Sequence, residues 1–151
     1  MDREIAKGFT LLELVIAIVV TVVLLSIAIS NFIAWKRKIE IEKDVNTIYS
    51  VIQKCRLKAL TSHTGYELYF ENSGRTLIVN GTTLVSYKLS FPFTFRGSVN
   101  KLKIDDKGVV DNLTIYSKVA GLDNLNPKYD CIVISSGINV RKGKWNGTSC
   151  K

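Results

Sequence analysis

A run of 26 residues, Phe9 to Ala34, carries a single charged side chain, Glu13. As a helix it would extend roughly 39 Å at 1.5 Å per residue, enough to span a bilayer core. No second run of that length follows, so the chain crosses a membrane at most once. A removable secretory signal would need a basic leader, a shorter apolar stretch and a small-residue cleavage site. Here Asp2 and Glu4 balance Arg3 and Lys7, and the run ends at Trp35-Lys36-Arg37-Lys38. An uncleaved signal-anchor helix stays open, and for it the positive-inside rule would hold Lys36, Arg37 and Lys38 in the cytoplasm.

Beyond the run the apolar pattern narrows to a stripe. Ile41, Val45, Ile48, Ile52, Cys55 and Ala59 recur at alternating spacings of four and three, with Lys, Arg, Glu and Asp opposite. Neither Pro nor Gly occurs between Phe9 and Ser62, so the spacing predicts one helix of about 50 residues, apolar all round and then amphipathic. Cys55 falls on the stripe and reads as a small buried core residue.

From Thr64 onward the signals change to short strands and turns. Strands are expected at Tyr66 to Phe70, Thr76 to Val79, Leu84 to Leu89, Val99 to Ile104, Leu113 to Tyr116, Cys131 to Ser135 and Ile138 to Arg141. Turns are expected at Glu71 to Gly74, Asp105 to Gly108, Asn124 to Pro127 and Ser136-Gly137. A long helix followed by a run of strands predicts an α+β fold, the amphipathic helix lying on an antiparallel β-sheet head.

The formal charge is +8, and the leader contributes none of it. A basic surface suits acidic partners such as nucleic acid or anionic lipid. Cys131 and Cys150 would close a loop of about 20 residues, typically worth roughly 3 kcal/mol. Their pairing would require an oxidising compartment; two unpaired thiols are the alternative. His63 is the sole histidine, and cysteines at 55, 131 and 150 fit no zinc spacing, so no metal site is expected. With no phosphate-binding loop and no nucleophile motif, no catalytic residue, cofactor or enzyme activity is expected either.

Lys7-Gly8-Phe9-Thr10-Leu11-Leu12-Glu13, opening a long apolar helix, resembles the processing site of type IV prepilins and of the pseudopilins of type II secretion. The resemblance is close from Lys7 to Trp35. It implies a prepilin peptidase that cuts between Gly8 and Phe9 and N-methylates Phe9. An ionised carboxylate at the bilayer centre costs roughly 2.5 to 3.5 kcal/mol on insertion scales. Cleavage would create a positive amine on Phe9, four residues from Glu13, and the resemblance implies that Glu13 pairs with that amine on a neighbouring subunit during assembly. It also implies a leader in the cytoplasm and a head outside, which would put Lys36, Arg37 and Lys38 on the outer side, where the cysteine pair would also belong. Ser30-Asn31-Phe32 stands where pilins commonly carry Pro-Asn-Phe, so a bend there is not implied.

Cys55 to Leu60, and Ile132 to Gly137 followed by Arg141 and Lys142, resemble the GspH/FimT-like pseudopilins, minor subunits that prime or cap a filament. Some members bind DNA through a basic C-terminal region; here Arg141, Lys142 and Lys144 would neutralise phosphates and Trp145 would stack on a base. Ile138 directly after Gly137 departs from that pattern, and a solvated loop with Trp145 covering a sheet edge is the plainer reading.

The expected organisation is a leader at 1–8, a transmembrane and assembly half-helix at 9–35, an amphipathic half at 36–63 and a β-rich head at 64–151. The protein is expected in the inner, cytoplasmic membrane with its head outside, and then in a pilus or pseudopilus. Other pilins, the prepilin peptidase and the membrane assembly platform would be its partners. A structural minor subunit, a DNA receptor for transformation and a major pilin are the competing roles.

Overall fold

The computed structural model describes residues 10–119 and 125–151. The expected turn at Asn124 to Pro127 therefore lies partly outside the described residues. The chain divides into two compact units, one ending at Lys36 and the other running from Arg37 to Lys151.

Helix α1 spans Leu11–Ser62. Up to Lys36 it is apolar on all sides; its most apolar stretch has a mean hydropathy of 2.9, and none of that stretch is buried in the protein. A single-chain helix of this kind is long and apolar enough to cross a membrane. From Ile41 the stripe becomes a packing face: Ile41, Val45, Ile48, Val51, Ile52, Cys55 and Ala59 are all buried.

The strands of the second unit form two four-stranded sheets. Strands β1 (Tyr66–Glu71), β2 (Thr76–Asn80), β3 (Val85–Lys88) and β5 (Lys101–Ile104) make the first, in the order β3-β2-β1-β5. Strands β4 (Phe93–Phe95), β6 (Leu113–Ser117), β7 (Cys131–Ser135) and β8 (Asn139–Gly143) make the second, in the order β4-β6-β7-β8. Each strand pairs antiparallel with its neighbours. Inward positions alternate as a half-buried sheet requires: Leu102 and Ile104 on β5, Leu113, Ile115 and Ser117 on β6. Both sheets and the helix share one core, in which Val45, Ile48 and Ile52 join Leu68, Leu77 and Leu102 from the first sheet and Phe93, Ile115 and Ile132 from the second.

Sequence patterning missed β4, whose three residues are too few to show a period, and it did not announce the division into two sheets. It also opened the last strand one residue early: Ile138 sits in the turn, exposed, and pairing resumes at Ser135 with Asn139.

Two helix side chains, Asp44 and Arg56, make four hydrogen bonds to the strand connections. Asp44 is buried on the helix, and its Oδ2 accepts the backbone N–H groups of Ser90 at 2.8 Å and Phe91 at 2.9 Å, in the link from β3 to β4. Arg56 donates from Nε to the Gly108 carbonyl at 3.0 Å and from Nη1 to the Ile138 carbonyl at 2.8 Å. Two turns, one before β6 and one before β8, are thus held by a single guanidinium. Where the 3-10 turn Asn72–Gly74 passes β4, Gly74 has φ +90°, and a Cβ there would lie 2.9 Å from the Phe93 nitrogen.

Candidate functional site

Two places carry the residues singled out from the sequence. At the start of α1, Gly8 and Phe9 lie outside the described residues, whereas Glu13 is described in full. Its Oε2 accepts the backbone N–H of Thr10 at 3.0 Å and the Thr10 hydroxyl at 3.0 Å. Reciprocally, Thr10 Oγ1 accepts the N–H of Glu13 at 3.2 Å. Thr10-Leu11-Leu12-Glu13 is therefore a capping box: the threonine satisfies an orphan amide of the first turn and the glutamate reaches back over it. The T-x-x-E spacing is the sequence signature of such a cap, and it was not among the features singled out above. The Glu13 carboxylate lies at the helix N-terminus, where the backbone dipole favours an anion.

The second place is the end of the chain. Cys131 and Cys150 are bonded, with Cα atoms 6.0 Å apart. The segment between Lys144 and Lys151 folds back on itself: Lys144 N–H donates to the Lys151 carbonyl at 2.7 Å, and Lys151 N–H returns to the Lys144 carbonyl at 3.0 Å. The Trp145 N–H donates to Oδ1 of buried Asp130 at 2.5 Å. The Trp145 ring stacks on Tyr116, centroids 4.3 Å apart and planes within 8°.

This geometry parts the four basic-tail residues. Arg141 and Lys142 are consecutive on β8, so their side chains leave opposite faces of the sheet. Arg141 is exposed. Lys142 turns toward the helix, its Nζ donating to Asn46 Oδ1 at 2.9 Å and lying 5.1 Å from the Tyr49 ring centroid and 5.0 Å from that of Tyr129. Such a cation between two aromatic faces helps hold a strand to a helix. Lys144 Nζ is hydrogen-bonded to Asn126 Oδ1. One face of the half-exposed Trp145 is taken by Tyr116. The tail thus offers Arg141 and a half-exposed aromatic pair to solvent; Lys142 serves the fold, while Lys144 is exposed and bonded to Asn126.

Elsewhere, burial pushes the Cys55 thiol up from its ordinary value against the pull of Lys58 and Lys54, as suits a core residue. Among the described residues no group of three His, Cys, Asp or Glu is placed to hold a metal.

Residues 5–29 match the family model of the prokaryotic N-terminal methylation motif. No characterised protein and no solved structure matches the chain. The matched residues take in the peptide bond after Gly8, the capping box and much of the apolar helix. They support a type IV pilin-like chain, a class of structural subunits processed by a prepilin peptidase, anchored through the N-terminal helix and assembled with others of its kind.

Proposed function

We propose that this protein is a minor subunit of a type IV pilus or of a type II secretion pseudopilus, of the GspH/FimT-like group. Its leader, residues 1–8, is removed in the membrane and Phe9 is methylated. Residues 9–35 then serve as anchor and, after assembly, as one helix of a filament core. Residues 36–63 carry the β-rich head, 64–151, on the outer side of the membrane.

The observation that carries this reading is the methylation motif at residues 5–29, set on a helix that exposes apolar side chains on every side. Such a surface needs lipid or other helices around it. The capping box adds a mechanism for Glu13. In a lone chain its carboxylate is satisfied by Thr10. When subunits pack, the amine of a neighbouring Phe9 offers that carboxylate a full opposite charge in place of water, an attraction that strengthens as the surroundings dry. Glu13 thereby sets the axial register of one subunit on the next.

The test is coexpression with a prepilin peptidase and a filament system. Intact mass should show loss of residues 1–8 and gain of one methyl group, and Gly8→Asp should abolish both. Glu13→Val should be processed normally yet be missing from sheared filaments. An unprocessed wild-type chain would overturn the proposal. High abundance in those filaments would instead make the protein a major pilin.

A second reading, DNA receptor, draws support from exposed Arg141 and from the half-exposed Tyr116–Trp145 stack, the strand registers putting Arg141 and Tyr116 on one face of the second sheet. It expects salt-sensitive DNA binding that Arg141→Glu with Trp145→Ala abolishes. Absence of binding at low salt would sink it.

A further inference from the structure

The apolar stretch of α1 ends in an abrupt change of chemistry. Phe32 and Trp35, both exposed, place their rings 5.8 Å apart on adjacent turns of the helix. Lys36, Arg37 and Lys38 follow directly, the first two exposed and the third half-buried. No Asp or Glu occurs between Glu13 and Glu40, so the three bases stand beside the aromatic pair with no acid among them. Glu40 comes four residues after Lys36, one turn farther from the apolar stretch.

The placement of these bases says what surrounds them. Consecutive helical residues point about 100° apart, so Lys36, Arg37 and Lys38 spread round the helix rather than along one side. A protein docked on one face would reach one or two of them. A layer of lipid headgroups encircles a helix and meets all three. The apolar stretch before them is itself wholly unburied in the protein, with exposed side chains on every side. The surroundings of the basic collar therefore continue those of the span: where hydrocarbon ends, headgroups begin.

Length agrees with that placement. Glu13 and Trp35 are 22 residues apart on α1, roughly 33 Å along its axis. The hydrocarbon core of a bilayer is about 30 Å thick. With Trp35 at one boundary, Glu13 reaches the other, clear of the hydrocarbon that would penalise its charge. An indole suits such a boundary because its ring is apolar and its N–H is polar. Lys and Arg extend apolar stems along the lipid and carry their charges outward to the phosphates.

We infer that Trp35, Lys36, Arg37 and Lys38 form a headgroup site selective for anionic phospholipids, at a depth fixed by the indole. The inference rests on the reading of residues 9–35 as a membrane span, and it holds in either orientation of the helix. A zwitterionic headgroup sets its own cation against the three bases, whereas an anionic one does not. The indole sets the depth and the bases choose the lipid.

Lipids brominated on their acyl chains quench tryptophan on contact, and so report both depth and lipid identity. The full chain is placed in nanodiscs of phosphatidylcholine carrying a small, equal fraction of brominated phosphatidylglycerol or brominated phosphatidylcholine. Trp35→Phe is measured alongside, so that the signal of Trp35 is read apart from that of Trp145. Bromine near the headgroup should quench Trp35 more than bromine at the chain end. At equal fraction the anionic lipid should quench it about twofold or more better than the zwitterionic one, and high salt should shrink that ratio toward one. Lys36→Gln with Arg37→Gln and Lys38→Gln should bring the ratio to one while the depth profile keeps its shape. A wild-type ratio of one, a ratio that the triple variant leaves unchanged, or stronger quenching from the chain ends would overturn the inference. Trp35 quenched by no brominated lipid at any depth would overturn the membrane-spanning reading itself.

Discussion

Asp44 is a carboxylate on the packed side of a helix, a position where an unpaired charge would be costly. Two amide N–H groups from the β3–β4 link solvate it. Asp44→Ala would leave both without a partner, and a loss of about 1 to 3 kcal/mol is expected in urea denaturation of the full chain in detergent. Asp44→Asn keeps an acceptor and should lose less. Burial raises the carboxyl above its ordinary value near 3.8, outweighing the two hydrogen bonds to the ionised form. The sign of the pH effect follows. The folded state holds this proton more tightly than the unfolded one, so the stabilisation linked to it is complete below about 3.8 and is lost as pH rises through the folded value. The stability of the wild type relative to Asp44→Asn should therefore improve as pH falls from neutral toward 4. A wild-type advantage that grows with rising pH would contradict the assigned shift. Nothing local in the sequence marks Asp44: it sits in a charged stretch, and only the fold brings Ser90 and Phe91 to it.

Among elements, the helix was the most legible and for a plain reason. Spacings of four and three place Ile41, Val45, Ile48, Ile52, Cys55 and Ala59 on one face whatever packs there, and all six are buried. Ile48→Ala, at the middle of that face, should cost about 2 to 5 kcal/mol in the same denaturation. Seven of the eight strands could be read from alternation and turn residues. Short β4 could not, nor could the split into two sheets, because strand pairing depends on partners far apart in sequence. The same limit hid Arg56, whose two carbonyl partners lie 52 and 82 residues away. At the candidate sites, Thr10 and Glu13 were legible as a local pair, whereas Tyr116 beneath Trp145 was not. Gly74 joins this group: its positive φ and the closeness of Phe93 are tertiary facts. Gly74→Ala should destabilise by more than about 1 kcal/mol, with thermal melting as the check.

For the whole molecule, the bonded pair Cys131 and Cys150 closes the last segment onto β7. Cys150→Ser should lower stability by about 3 kcal/mol through the lost loop constraint. Thiol labelling of native protein should modify no cysteine, and labelling after denaturation without reductant should modify Cys55 alone; three labelled thiols would show the pair to be open. The contacts that hold the helix have a further, mechanical consequence. An apolar stripe resists sideways separation better than lengthwise sliding, because a shift of one turn sets similar side chains into similar gaps. Asp44 and Arg56 are directional and have one register only. They stand 12 residues apart on α1, roughly 18 Å along its axis. Under a pull along the helix they act as two detents, so rupture should come as a discrete yielding event rather than gradual slip. In single-molecule stretching, Arg56→Ala should lower that yield force and spread its distribution, while the apolar face stays as it was.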